Sequence, residues 1–200
     1  MLDPDIRIPL ARQLRPEHGH GRILGEVGLW GNTVRVDLAR LTNTSLDGYE
    51  IKSAGDTLVR LGNQAQIYGL VFNSMTLVAA ARHIDKAAPY LPPWWGLTEA
   101  RDDDGTIILS TLRPPEENPS ASAERIAGLL WKDEALDVLR SLGETNGLSR
   151  LRLGEAHAAI ARNLTLPQVR TEVFRRVARR RDWLDRHDPF FVGPFRPRTI

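Results

Sequence analysis

A chain of 200 residues is long enough for one core domain, with at most a small appendage. Hydrophobic residues at 42% and charged residues at 26% are ordinary globular composition, and no run of 18 apolar residues suggests a membrane span. A formal charge of +2 says little about partners, while the absence of cysteine excludes disulfides, a thiol nucleophile and cysteine-ligated zinc.

At the N-terminus Asp3-Pro4 reads as a cap and a first-turn proline, opening a helix over Asp5 to Leu14. Two early acids, with no basic and apolar regions of a signal peptide, make a cytoplasmic protein of bacterial type the expectation. His18-Gly19-His20-Gly21 is a loop; two histidines without a third ligand nearby favour a solvated loop over a metal site. Ile23 to Leu29 and Val34 to Leu41 are predicted strands joined at Gly31-Asn32. A polar loop over Asn43 to Gly48 leads to a third short strand, Tyr49 to Ser53.

Asp56 or Thr57 is a candidate cap for the next helix, and Leu58, Leu61, Ala65, Tyr68 and Phe72 recur at helical spacing to about Val71. Met75 to Ala80 has strand length, Asp85 to Tyr90 reads as a short helix, and Pro92-Pro93 breaks the chain. Trp94 to Glu99 and Thr106 to Leu112 are predicted to form a hairpin around Asp102-Asp103-Asp104-Gly105. No glutamate follows at the spacing a calcium loop needs, so this acidic stretch is a turn. Trp94-Trp95 suits base stacking or packing at a sheet edge, and the flanking prolines and glycine favour packing.

Pro114 to Ser122 is polar, carries prolines and is the candidate linker. Beyond it the pattern is helical: Ala123 to Leu142, a turn over Gly143 to Gly147, then Leu153 to Leu164 and Pro167 to Leu184. Trp131 falls on the apolar stripe of the first of these and is expected in the core. Between Arg170 and Arg186 stand seven arginines (Arg170, Arg175, Arg176, Arg179, Arg180, Arg181, Arg186) against three acids, Glu172, Asp182 and Asp185. Such a stretch is either a phosphate-binding surface or a solvated helix face. The last two helices likewise fit a helix-turn-helix or a plain three-helix bundle. The predicted class is therefore α/β: a mixed sheet flanked by helices over residues 1–113, a linker over 114–122, an all-helical subdomain over 123–188 and an extended tail over 189–200.

One constellation points to chemistry. Asp37 lies on one predicted strand, and Glu50-Ile51-Lys52 follows thirteen residues later on the next. Strand side chains alternate, so Glu50 and Lys52 share a face while Ile51 points the other way. Charged groups within apolar strands are costly unless paired or metal-bound. Mg2+ takes hard oxygen ligands and lowers the pKa of a bound water, which suits two or three carboxylates and the Ile51 carbonyl. Lys52 is placed to orient that water or to stabilise charge on a phosphate. Glu26, on the preceding strand, is a further candidate ligand.

With Glu26, Arg35-x-Asp37, Glu50-x-Lys52 and Gln64-x-x-x-Tyr68 in this order, the chain resembles the PD-(D/E)XK nuclease superfamily of restriction-endonuclease-like fold, in its RecB-like branch. The proline before the acid is replaced by Val36. Gly48 to Ser53, Asp56-Thr57-Leu58-x-Arg60-Leu61, Pro92-Pro93-Trp94-Trp95-Gly96 and Leu129 to Glu134 also look like a small bacterial family carrying that core. The resemblance implies a metal-dependent DNA phosphodiester hydrolase, endonuclease or exonuclease, in phage defence or DNA repair. It implies Glu26, Asp37, Glu50 and Ile51 as ligands of Mg2+ (or Mn2+), with Asp37, Glu50, Lys52 and Gln64 as the catalytic set. Arg35, Arg175, Arg176 and Arg179 are then candidate DNA contacts, and Arg60 and Tyr68 are supporting or DNA-facing. The alternatives are a non-catalytic DNA-binding module and a subunit of a larger defence or repair complex, with a homodimer or a co-encoded protein as partner. No membrane association is expected.

Overall fold

The computed structural model describes residues 1–15, 21–29 and 33–180. The His18 and His20 loop, Gly31-Asn32, Arg181, Asp182, Asp185, Arg186 and the tail over 189–200 lie outside these residues. A six-stranded mixed sheet runs in chain order: β1 (Arg22–Leu29), β2 (Val34–Leu41), β3 (Leu46–Lys52), β4 (Ser74–Ala80), β5 (Gly96–Asp103) and β6 (Thr106–Arg113). The β3–β4 and β4–β5 pairs are parallel and the others antiparallel. Parallel neighbours need a crossover, and helices α2 (Leu61–Tyr68) and α3 (Ala81–Ala87) provide the two crossovers.

Helix α1 (Asp3–Gln13) covers one face of the sheet, where Ile6, Leu10 and Ala11 pack on Leu38, Ile51, Val78 and Ala100. The opposite face carries the larger core. There Tyr68 and Phe72 join Leu24, Val36, Leu77 and Trp95, and the same cluster continues into the C-terminal helices through Ile126, Leu139, Ile160 and Phe174. These helices are α4 (Ala123–Ala127), α5 (Lys132–Ser141), α6 (Leu153–Asn163) and α7 (Leu166–Val177).

Several elements depart from expectation for identifiable reasons. Asp3 lies inside α1 rather than capping it; the Asp5 carboxylate accepts from the Leu2 amide at 2.6 Å instead. Asp56 does not cap α2. Its carboxylate takes both the amide and the hydroxyl of Ser53 at 2.7 Å, so the chain stays in a loop and α2 opens only at Leu61. Strand β3 begins three residues before Tyr49, because Leu46 exchanges hydrogen bonds with Asn73 (3.0 and 2.8 Å) and Asp47 is satisfied by Ser74 and Arg40. The helix expected over Ala123 to Leu142 breaks in two. Gly128 ends α4, and the Glu134 carboxylate takes the Trp131 amide at 2.8 Å to start α5. Trp131 is consequently 52% exposed rather than in the core, with the Arg180 guanidinium 4.1 Å above its ring.

Residues 114–122, expected as a linker, are anchored on the sheet domain. Glu116, Asn118 and Ser122 donate their amides to Trp94, Asn73 and Leu70, at 2.9, 2.8 and 3.0 Å. The buried Asn118 amide group also donates to the Gly69 and Phe72 carbonyls at 2.7 and 2.8 Å, satisfying acceptors left at the end of α2. The Asp104-Gly105 turn, with both φ angles positive (48° and 85°), closes the β5–β6 hairpin as the acidic turn was expected to. Trp94 and Trp95 are buried, as expected of packing residues.

Candidate active site

The site forms where β1 and β2 lose their regular alternation. Leu24 and Val27 are an odd number of residues apart, yet both enter the larger core; so do Val36 and Ala39 on β2. The face switches between them, at Glu26 and Asp37, the position that the β1–β2 pairing skips between Gly25↔Leu38 and Val27↔Val36. Glu26 makes the switch with a left-handed backbone, φ 53°, which costs a side-chain-bearing residue about 1 kcal/mol or more and clusters at functional sites. Asp37 sits just past the last paired residues of β2 and β3, Leu38 and Tyr49. There the Asp37 carboxylate replaces the backbone ladder by accepting the Ile51 amide at 2.6 Å.

Glu50 and Lys52 share a face of β3, as alternation requires. They form a buried ion pair of 2.5 Å, with Glu50 1% and Lys52 7% exposed. Two more groups from α2 reach the Glu50 carboxylate: the Gln64 amide donates at 2.7 Å, and the Tyr68 hydroxyl lies 3.1 Å away. Gln64 and Tyr68 are one helical turn apart, so both project toward β3. The Tyr68 hydroxyl has one proton, and its shorter bond is to the Arg35 carbonyl at 2.6 Å. It thereby ties β2 to the floor of the site. The Gln64 amide oxygen is buried and has no hydrogen-bond partner among the described residues.

The electrostatics are those of crowded acids. Burial pushes the Asp37 carboxyl well above its ordinary range, and the Glu50 charge pushes it further; the Ile51 amide and Arg7 oppose them. Burial likewise raises Glu50, against the opposing pull of Lys52. Asp37, Glu50 and the Ile51 carbonyl are the oxygen donors here that could hold a hard divalent cation. The amide and carbonyl of one strand residue point to the same side, so the Ile51 carbonyl shares the β2 side on which its amide meets Asp37.

Glu26 does not join this set. Its carboxylate is held by Arg7 at 2.6 Å and by Arg35 at 3.6 Å. No group of three or more His, Asp or Glu side chains converges as a metal cage among the described residues. Arg7 escaped notice in the sequence, where an arginine four residues after Asp3 looks like a surface helix pair. Only the face switch at Glu26 and Asp37, a tertiary feature, brings it here.

The expected DNA contacts divide. Arg60 is exposed one turn ahead of Gln64, and Arg35 is partly exposed beside Glu26. Tyr68 is fully buried, so it supports the site from beneath and cannot meet a nucleic acid. On α7, Arg175 and Arg176 both pair with Glu172, and Arg176 also reaches Asp137 at 3.1 Å. Arg170 is buried against Glu117 at 2.8 Å, and Arg180 binds Glu134 and the Leu129 carbonyl. Arg179 remains exposed. Much of the described part of the basic stretch thus fastens the helical layer together.

The family model described as bacteriophage P4 protein cII matches residues 11–192. Protein cII of Enterobacteria phage P4 is 26% identical over 160 residues, covering 79% of this chain and 59% of that protein. The chain therefore spans about three fifths of the length of this curated relative. A solved structure of a protein of unknown function from Silicibacter pomeroyi aligns with a TM-score of 0.43 and 19% identity, over 73% of this chain and 95% of that one.

Proposed function

The chain belongs to the family of bacteriophage P4 protein cII, and within it we propose that this protein is a metal-dependent DNA phosphodiester hydrolase with a restriction-endonuclease-like core of the PD-(D/E)XK type. The observation that carries the proposal is the buried Glu50–Lys52 pair beside Asp37, on adjacent strands of a mixed sheet. A buried ion pair is a poor source of stability, because desolvation offsets most of the attraction. Its retention with a third charge beside it is better explained by chemistry. Fold resemblance alone would not justify an activity.

Asp37, Glu50 and the Ile51 carbonyl would hold Mg2+ or Mn2+. When bound, the ion supplies an activated water and stabilises charge on the phosphate. In this reading Lys52 would orient the attacking water or take part in proton transfer. Gln64 donates to Glu50 and holds it in position, and Lys52, paired with Glu50, would be the nearby cation for the phosphate. Arg35 and Arg60 would track the DNA backbone, and the exposed Arg179 would extend that track only if α7 also faces the DNA. The phage origin of the curated relative supports a role in the biology of phages or of defence against them.

A second reading has an observation of its own. Arg7 already provides the acids with a cation, and no three-residue cage converges among the described residues. Both facts favour a non-catalytic DNA-binding module, or a subunit that acts only with a co-encoded protein. Linear, circular and single-stranded DNA incubated with the protein in Mg2+, in Mn2+ and in EDTA separate the two. Cleavage that needs the metal and falls at least a hundredfold in Asp37→Asn is expected of the hydrolase. Binding without cleavage of any form would support the second reading instead.

A further inference from the structure

Arg7 reaches from α1 into the acid cluster and is shared by three carboxylates. Its Nε donates to Asp3 at 2.7 Å and one terminal nitrogen donates to the Asp37 backbone carbonyl at 3.0 Å. The other lies 2.6 Å from Glu26, 3.2 Å from Asp3 and 3.5 Å from Asp37. Both oxygens of Asp37 are therefore engaged, one by the Ile51 amide and the other by this guanidinium. The side chain is 15% exposed, which makes Arg7 a built-in part of the site rather than a passing surface contact.

We propose that Arg7 is the resident cation of the Asp37–Glu26 pair and that it competes with the divalent ion, so that α1 acts as a latch on metal loading. A divalent ion on the Asp37 carboxylate would lie within a few ångströms of the guanidinium, and two cations that close repel strongly at low dielectric. Loading thus requires Arg7 to withdraw. Withdrawal also removes the 2.6 Å hold on Glu26, which keeps only its longer contact with Arg35 and lies beside Asp37 where the β1–β2 pairing skips a position, so that it can join the ligand set. The metal-free protein keeps its crowded acids neutralised by an internal charge, and the ion, once bound, takes over that task. This inference rests on the hydrolase proposal, and it adds the control of the same site.

Mn2+ titration of the full chain, followed by calorimetry and by electron paramagnetic resonance, tests the latch without reference to activity. Arg7→Met keeps much of the apolar stem and removes the charge. Arg7→Lys keeps a charge that cannot span three carboxylates, and its folding serves as a safeguard if Arg7→Met melts early. The expected result is Mn2+ affinity at least tenfold tighter in Arg7→Met than in the wild type, with Arg7→Lys between, and loss of binding when Asp37→Asn is added. Equal or weaker binding in both arginine variants, with the wild type binding at Asp37, overturns the latch and leaves the hydrolase standing. Absence of Mn2+ binding in every variant overturns both.

Discussion

Glu50 and Lys52 answer each other's charge in a place with little water, so each is costly without the other. Glu50→Gln is expected to destabilise the metal-free protein by about 3–5 kcal/mol in urea unfolding, because it strands a buried ammonium. Adding Lys52→Met should recover most of that loss, and failure of the double variant to recover would show that the two side chains do not act as a pair. Asp37 makes a separate prediction through its titration. Its folded pKa is raised by burial and by Glu50, so the stability linked to it is fully present below about pH 4 and is lost as pH rises through the raised value. In EDTA, Asp37→Asn should therefore gain stability relative to the wild type as pH climbs from 4 toward 8; a constant difference would show that this carboxyl titrates normally. The Glu50–Lys52 pair and the Gln64–Tyr68 pair were legible because strand alternation and helical spacing are local rules. Arg7 was not legible, since nothing near it in sequence says that two neighbouring strands switch faces beneath it. Tyr68 lies on the apolar stripe of its helix, where supporting and DNA-facing roles were both open, and its complete burial decides for the supporting one.

At the scale of elements, Gly48 leaves room over β3 for the Met75 and Phe72 side chains, since a Cβ there would stand 2.3 Å from the Met75 sulfur and 3.0 Å from the Phe72 ring. Gly48→Ala is expected to cost about 1–3 kcal/mol by overpacking. Asn118→Ala should cost a similar amount, about 1–3 kcal/mol, by stranding the two carbonyls at the end of α2. Unchanged unfolding midpoints in either variant would contradict these packing assignments. Strand β2 was readable to the residue, because a β-branched, apolar run between turn signals has few other outcomes. The start of α2 and the break at Gly128 differ from the sequence reading because Asp56 turns back to Ser53 instead of capping α2, and Glu134 takes the Trp131 amide to open a separate helix. The anchoring of residues 114–122 was hidden in the same way, since Asn118 looks like any turn residue until α2 ends beside it.

Over the whole molecule, both faces of the sheet are covered, by α1 on one side and by a core continuous with the C-terminal helices on the other. The candidate site lies where β2 and β3 cease to pair, between α1, which supplies Arg7, and α2, which supplies Gln64 and Tyr68. Among the described residues, no helix is long and apolar enough to cross a membrane. The mixed sheet with flanking and C-terminal helices follows the pattern read from the sequence, while the arginines of α7 serve more as fasteners than as the open basic surface considered there. The central claim is most directly tested by Lys52→Ala on a DNA that the protein cleaves. Cleavage rate in Mn2+ and DNA affinity in Ca2+ would be measured side by side on the same preparations. The predicted result is a rate lowered by about a hundredfold or more with affinity within about threefold of the wild type, as expected for a group that acts in the transition state. An unchanged rate, or a wild type that binds DNA and never cuts it, would contradict it.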